Sequence, residues 1–179
     1  MLNTMISRLK QFWFGMMAKY HSEDEIYTKK HLSLPEKELF DKLPEFEKKH
    51  AVVVAQKMVL ASYQHPELDK NKLIKLGLLH DIGKITERNS IFAKSIFVVF
   101  RFFSPGLYDR FAKLGETNSF FKRYYVHKNH GVIGAKILET IGEEPQFLSI
   151  IKKHDPRVEP FGPEDPLELK ILQDADSTY

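Results

Sequence analysis

Four of the eight histidines fall on the apolar stripe of a predicted helix, where a polar side chain is unexpected. They are His50, His80, His130 and His154, each spaced three, four or seven residues from apolar side chains of the same helix. An imidazole buried without a partner is costly, so each needs a hydrogen bond or a metal ion. Alone, each is more often a hydrogen-bonded core residue than a ligand. Four such histidines, with Asp81 beside His80, instead favour a metal site between helices.

The composition restricts what such a site can hold. The chain of 179 residues has no cysteine, so a metal must be bound by nitrogen and oxygen atoms. Its formal net charge is +3, from 27 basic and 24 acidic residues, and this lacks the dense basic footprint of a nucleic-acid-binding protein. We therefore expect no nucleic-acid partner, while a small phosphorylated ligand is compatible with the charge.

The elements that must position these histidines are predicted to be helices throughout. A capping box formed by Ser33 and Glu36 starts a short helix that Pro44 ends. Apolar residues then recur at helical spacing, with no sustained two-residue alternation that would indicate a strand. The further predicted helices cover residues 46–63, 71–80, 90–103, 107–114, 118–126, 131–141, 145–154 and 166–179. The fold class is therefore all-α, with one domain.

The N-terminal region is predicted to be separate in character from the rest. Residues 2–17 have the apolar period of an amphipathic helix, with Arg8, Lys10 and Lys19 on its other face. We favour packing of this helix on the domain, and the alternative is peripheral contact of residues 1–19 with an anionic membrane. Because charges interrupt the apolar residues, we expect no secretory signal, no transmembrane segment and a cytoplasmic location. The division predicted is 1–44, amphipathic and capping helices, and 45–179, which carries the site, as one structural unit.

Two further segments, one of them after the last histidine, leave alternatives open. Residues 155–166 contain four prolines and one glycine, so they form a surface loop, either a plain connector or a lid. The aromatic-rich residues 92–121 are predicted to set substrate specificity, although aromatic side chains at helical spacing are mostly core. The aromatic candidates are Phe97, Phe100, Phe102, Phe103, Tyr108, Phe111, Phe120 and Phe121.

The order of a histidine, a His-Asp pair and a later aspartate resembles the signature of the HD superfamily of metal-dependent phosphohydrolases. His50, His80-Asp81 and Asp176 occupy it, and residues 77–84 closely resemble its His-Asp-Ile-Gly-Lys variant. His130-Gly131, followed by Gly134-Ala135, is similar to an element of the binuclear members. The resemblance implies an HD-type helical bundle with two divalent transition-metal ions in its core (iron, manganese, cobalt, nickel or zinc). The ligands that it implies are His50, His80, Asp81, His130, His154 and Asp176.

Two of these assignments have competitors nearby. Asp174 and Asp176 lie on nearly opposite sides of the last predicted helix, and each continues an apolar stripe. Only the family's habit of placing its ligand after an alanine favours Asp176. His127 competes with His130, and the Gly-Val-Ile-Gly-Ala sequence after His130 favours the latter, leaving His127 to line the pocket.

The resemblance also implies a reaction, in which water attacks a phosphate group and Asp81 bridges the two metals. Lys84 is a candidate to contact a phosphate oxygen, and a solvated lysine at a helix end is equally compatible with its position. Arg123 and Lys128 are weaker candidates. The substrate expected is a nucleotide or another small phosphate ester. The alternatives are dinucleoside polyphosphates, a non-catalytic ligand-sensing or membrane-surface role, and oxygen chemistry at a di-iron centre.

Overall fold

The computed structural model describes residues 19–87, 97 and 99–178, and all regular secondary structure in these ranges is helical. The all-α prediction is therefore confirmed for this part of the chain. The helices are α1 Ser22–His31, α2 Leu34–Phe40, α3 Glu45–Ser62, α4 Lys70–Leu79, α5 Pro105–Leu114, α6 Lys122–Glu139, α7 Pro145–Lys153 and α8 Leu167–Ser177, with 3-10 turns at Ile82–Thr86 and Ser119–Phe121. The helix predicted over residues 2–17, and most of the one over 90–103, lie outside the described residues. None of the described helices is both long and apolar enough to span a bilayer.

The sequence patterns located most helices within a few residues, with two exceptions. Residues 118–126 and 131–141 were predicted as separate segments, but α6 runs unbroken through Gly131 and Gly134. Helix α1 was not predicted, because its apolar period is weak. Its signal is instead the order of its charges: three acidic residues in the first turn and basic residues in the last, which suits the helix dipole.

Helices α3 and α4 pack tightly against each other at the centre of the molecule. A Cβ atom added to Gly77 of α4 would lie 2.5 Å from the Cα of Ala55 in α3, so the two backbones nearly touch. Around this contact, Val54, Met58 and Leu73 have no exposed surface. The close approach brings His50 of α3 next to His80, which caps the C-terminus of α4.

The 3-10 turn after Asp81 packs against α6 through another glycine. A Cβ atom at Gly83 would overlap the carbonyl oxygen of His130 and lie 2.7 Å from the nitrogen of Gly134. Only a residue without a side chain allows this approach. The turn therefore fixes Asp81 relative to His130.

Helices α1 and α2 are joined to this core by partly buried ion pairs, in which the carboxylate is buried and the lysine is partly exposed. The carboxylate of Asp24 lies 2.8 Å from Lys49 of α3, and that of Glu36 lies 2.5 Å from Lys75 of α4. Glu36 also accepts a 2.6 Å hydrogen bond from the backbone nitrogen of Ser33, so the predicted capping box is present. The division of the chain between residues 44 and 45 stays a prediction.

The Gly83 contact can be tested by adding one methyl group. Gly83→Ala should lower the free energy of unfolding by about 1–3 kcal/mol, because the turn must move away from α6. It should also weaken metal binding, because Asp81 and His130 are then displaced from each other. Urea unfolding and metal analysis measure the two effects. Gly106→Ala is the control, since a Cβ atom there meets nothing within 4 Å; equal stability of the two variants would show that the turn tolerates a side chain.

Candidate metal centre

The six side chains predicted as metal ligands converge at one place in the bundle. They come from α3, from the end of α4 and the residue after it, from α6, from the end of α7, and from α8. His80, Asp81, His130 and His154 are almost completely buried. The side chains of His50 and Asp176 keep 14% and 22% of their surface exposed, so they are closer to solvent than the other four. His50 is thus less buried than its apolar stripe predicted.

The carboxylate of Asp81 lies at the centre of this cluster. Its Oδ2 is 3.3 Å from Nε2 of His80 and 3.7 Å from Nε2 of His50. Its Oδ1 is 3.2 Å from Nε2 of His130 and 3.6 Å from Nε2 of His154. One carboxylate therefore presents each of its oxygens to a different pair of histidines, giving two potential metal-binding groups that share Asp81.

Asp176 joins the first of these groups, and Asp174 does not. Oδ1 of Asp176 lies 3.0 Å from Nε2 of His50 and 3.7 Å from Nε2 of His80. The side chain of Asp174 is 62% exposed and forms a 2.5 Å ion pair with Lys170 along α8. The geometry thus separates the two aspartates that the apolar stripes left open.

Three of the histidines are held in one orientation by their own helices. Nδ1 of His80, His130 and His154 lies 2.9, 2.9 and 2.7 Å from a backbone carbonyl oxygen three residues earlier. Those acceptors belong to Gly77, His127 and Ile151. Since a carbonyl oxygen can only accept, Nδ1 must carry the hydrogen, and in a neutral ring Nε2 keeps a lone pair directed at Asp81.

When the rings are neutral, as metal binding requires, these Nε2 atoms lack the hydrogen-bond donors that their lone pairs need. Nε2 of His130 lies 3.0 Å from Nε2 of His154, so two lone pairs face each other when both rings are neutral. Nε2 of His80 is buried and makes no hydrogen bond within the described part of the chain. Binding of metal cations would remove the repulsion between the facing lone pairs and would give Nε2 of His80 a partner. Neutral imidazole nitrogens and carboxylate oxygens are donors that divalent transition metals accept, so the residues fit such an ion.

The protonation states of these side chains also favour metal binding. Burial lowers the pKa of His130 to about 4, so this ring is neutral at neutral pH. Burial raises the pKa of Asp81, but His80 and Lys84 outweigh it and hold that pKa well below its usual value. Burial likewise opposes ionisation of Asp176, yet its hydrogen bond with His50 keeps the pKa low. The centre thus offers ionised carboxylates and a neutral imidazole, the forms that bind metals.

Lys84 lies at the edge of this cluster, and it has a second partner, Glu47, that was not predicted from the sequence. Its Nζ contacts Oδ2 of Asp81 and is 3.5 Å from Oε2 of Glu47, whose residue surface is 3% exposed. A lone glutamate in the first turn of a helix is commonly explained by the helix dipole. The sequence feature that could have identified Glu47 is its position three residues before His50, which places both residues on the same face of α3.

The other basic candidates lie in ion pairs apart from the cluster. Arg123 pairs with Glu87 at 3.3 Å, and its side chain is 57% exposed. Lys128 pairs with Asp109 at 2.7 Å. Neither has a contact with Asp81 among the ion pairs of the described residues.

His127 faces an aromatic cluster next to the site. Its Nδ1 is 2.5 Å from the hydroxyl of the buried Tyr108, and its ring centre is 5.2 Å from that of Phe97. As predicted, most of the aromatic candidates in residues 92–121 pack into the protein. Phe102, Phe103 and Phe120 are the exposed exceptions.

If Asp176 and not Asp174 is a metal ligand, substitution of the two aspartates should affect metal binding differently. Asp176→Asn should weaken metal binding by more than the roughly 10- to 100-fold typical of residues that only support a ligand, because it removes a charged donor. Asp174→Asn, the matched control on the same helix, should retain the metal content of the wild type. Competition with a chelator followed by elemental analysis gives both values. Equal retention by the two variants would place Asp176 outside the metal-binding set.

Comparison with known proteins assigns the family. The HD domain family model matches residues 48–179, which include all six converging side chains. Comparisons with curated proteins and with solved structures gave no match. Because the family model covers most of the chain, the protein belongs to the HD domain family, a superfamily of metal-dependent hydrolases.

Proposed function

We propose that this protein is a phosphohydrolase that uses two divalent metal ions to hydrolyse a nucleotide or another small phosphate ester. The observation that carries the proposal is the position of Asp81, with one oxygen towards His50 and His80 and the other towards His130 and His154. A pair of metal ions in such a site polarises the phosphoryl oxygens and lowers the pKa of the attacking water.

The protein side chains divide into two unequal ligand sets. His50, His80, Asp176 and one oxygen of Asp81 form the first, and His130, His154 and the other oxygen of Asp81 form the second. These sets would offer four and three protein donor atoms, and a bound metal would supply Lewis-acid activation of water and of phosphate oxygens there. Iron, manganese, cobalt, nickel and zinc all accept these donors.

Lys84 supplies positive charge at the rim of the cluster. Its side chain is 19% exposed and lies between the carboxylates of Asp81 and Glu47. An ammonium group acts as a point charge towards phosphate oxygens and stabilises the negative charge of the transition state. Glu47 has a positioning role, because it limits the directions in which the flexible lysine side chain can extend.

Water is the nucleophile in this proposal. The chain contains no cysteine, so a covalent thiol intermediate is excluded. The buried carboxylate of Asp81 is held among imidazoles and a lysine, where its role is to bind rather than to attack. The nucleotide class is supported by the resemblance to HD phosphohydrolases, and dinucleoside polyphosphates and di-iron oxygen chemistry are the alternatives that an assay must separate.

The first test joins metal content to phosphate release. The wild type, loaded in turn with manganese, iron, cobalt, nickel and zinc, is assayed with p-nitrophenyl phosphate, nucleoside mono-, di- and triphosphates, and dinucleoside polyphosphates. Asp81→Asn should abolish release of phosphate and lose metal, with a loss greater than about 100-fold, because it alters a ligand shared by both sets. Asp174→Asn should behave as the wild type.

Two outcomes would contradict the proposal. Hydrolysis that is equally fast in Asp81→Asn and the wild type would exclude catalysis at this centre. Oxygen consumption by the iron-loaded protein, with no hydrolysis of any phosphate in the panel, would favour the di-iron alternative.

A second test concerns Lys84 and Glu47, the residue proposed to position it. Lys84→Met should lower kcat about 10- to 100-fold while metal content is unchanged, since it removes a charge without removing a ligand. Glu47→Gln should give a smaller loss in the same direction, and Glu45→Gln, an exposed glutamate of α3, should give none. Steady-state kinetics and metal analysis measure these effects.

The double variant separates positioning from simple destabilisation. If Glu47 acts through Lys84, Glu47→Gln should change kcat little once Lys84 is methionine. Full additivity of the two losses would show that Glu47 acts independently of the lysine.

A further inference from the structure

A second group of charged side chains lies beside the metal centre. Arg101 belongs to helical residues 99–103, within the aromatic-rich region, and Arg157 lies in the loop that follows α7. Nη2 of Arg101 donates a 2.9 Å hydrogen bond to the backbone carbonyl oxygen of Arg157. The contact joins two segments that are far apart in the sequence and places the two arginines next to each other.

A chain of contacts links Arg101 to His130 of the second ligand set. The Arg101 guanidinium stands over the ring of Tyr108, 5.5 Å from its centre. The Tyr108 hydroxyl lies 2.5 Å from Nδ1 of His127, and the carbonyl oxygen of His127 accepts the hydrogen bond that orients His130. Arg101 is therefore on the side of the centre formed by His130 rather than by His50.

Arg157 is connected to the same ligand set through Asp155, the residue after His154. The Arg157 side chain donates to Oδ1 of Asp155 at 2.7 Å and to Oδ2 at 2.9 Å. One guanidinium and one carboxylate thus form a two-point ion pair. Since one guanidinium neutralises this carboxylate, the charge of Arg101 is left in excess.

The guanidinium of Arg101 is incompletely satisfied. Its Nη1 is buried and makes no hydrogen bond within the described part of the chain, and Oδ2 of Asp155 is 4.0 Å away, too far for one. A buried donor without an acceptor is costly. The side chains of Arg101 and Arg157 are 18% and 48% exposed, so both arginines border the solvent from which an anion approaches. Guanidinium donors match phosphate oxygens in geometry and charge.

We propose that Arg101 and Arg157 bind a phosphate of the substrate other than the one that is hydrolysed, so the preferred substrates carry at least two linked phosphates. This inference rests on the proposed hydrolysis at the metal centre. In the reaction, the oxygen of water bonds to the scissile phosphorus and the bond from phosphorus to the bridging oxygen breaks. The departing group takes the bonding electron pair, and the proton released by water balances its charge.

The kinetic test compares a substrate with two phosphates to a substrate with one. Arg101→Gln and Arg157→Gln should each raise KM for adenosine diphosphate about 10- to 100-fold, the effect of losing a charged hydrogen bond. KM and kcat for p-nitrophenyl phosphate should stay within about twofold, because that ester has no second phosphate for the arginines to bind. Arg110→Gln, on the exposed face of α5, is the matched control and should change neither substrate. A purely structural role of the arginines would instead lower kcat for both substrates together.

A binding measurement separates this inference from the proposed function. Calorimetric titration with inorganic pyrophosphate should show weaker binding by Arg101→Gln and Arg157→Gln than by Arg110→Gln, with binding of inorganic phosphate unchanged. Equal pyrophosphate binding and equal KM values in all variants would overturn the inference and leave the hydrolase proposal intact. If the wild type hydrolyses no phosphate in the panel but pyrophosphate binding still depends on the arginines, the proposed function fails and the anion site stands. If Arg101→Gln does not fold, Arg157→Gln decides by the same two measurements, since it alters a half-exposed side chain.

Discussion

The buried carboxylate of Asp81 is the group on which the arrangement of the helices depends. A carboxylate that is 1% exposed would be strongly destabilising without compensating charge or hydrogen bonds. Here four imidazoles from α3, α4, α6 and α7 surround its two oxygens. Each helix must therefore end, or pass, within a side chain's length of one point. This requirement explains why the core of the bundle is polar at its centre and apolar around it.

Glycines let the helices that carry these ligands approach each other closely, which brings the imidazole and carboxylate side chains together. Gly77 lets α4 approach α3, Gly83 lets the turn after Asp81 rest on α6, and Gly131 lets α6 approach α7. A Cβ atom at Gly131 would lie 2.6 Å from the carbonyl oxygen of Lys152. In each case the added atom would meet backbone, which cannot move aside as a side chain can. The conformational entropy that these glycines cost on folding is offset by the contacts that they permit.

Much of this could be predicted from the sequence, because helix periodicity and capping are local. The stripes identified all four histidines, and Ser33 with Glu36 located the start of α2. What could not be predicted depends on which helices meet. Asp174 and Asp176 both continue apolar stripes, and only the position of α3 decides that Asp176 faces His50. For the same reason residues 118–126 and 131–141 were predicted as separate helices, while in the structure α6 runs through Gly131, which contacts α7. Glu47 and Arg101 were missed because each acquires its partner only through tertiary contacts.

The two sides of the centre differ in charge, and this difference gives the site a direction. Besides the shared Asp81, the side of His50 and His80 holds Asp176, and the charge of Lys84 there is paired with Asp81 and Glu47. Around His130 and His154 the only further carboxylate in the described contacts is Asp155, which Arg157 neutralises, with the charge of Arg101 in excess. With a divalent ion in each ligand set, the first side is closer to neutral than the second. Under the proposed function, this difference in charge favours a substrate whose scissile phosphate lies at Asp81 and whose other phosphates lie towards the arginines. In that orientation the negative charges of the substrate lie where the positive charge of the protein is least neutralised.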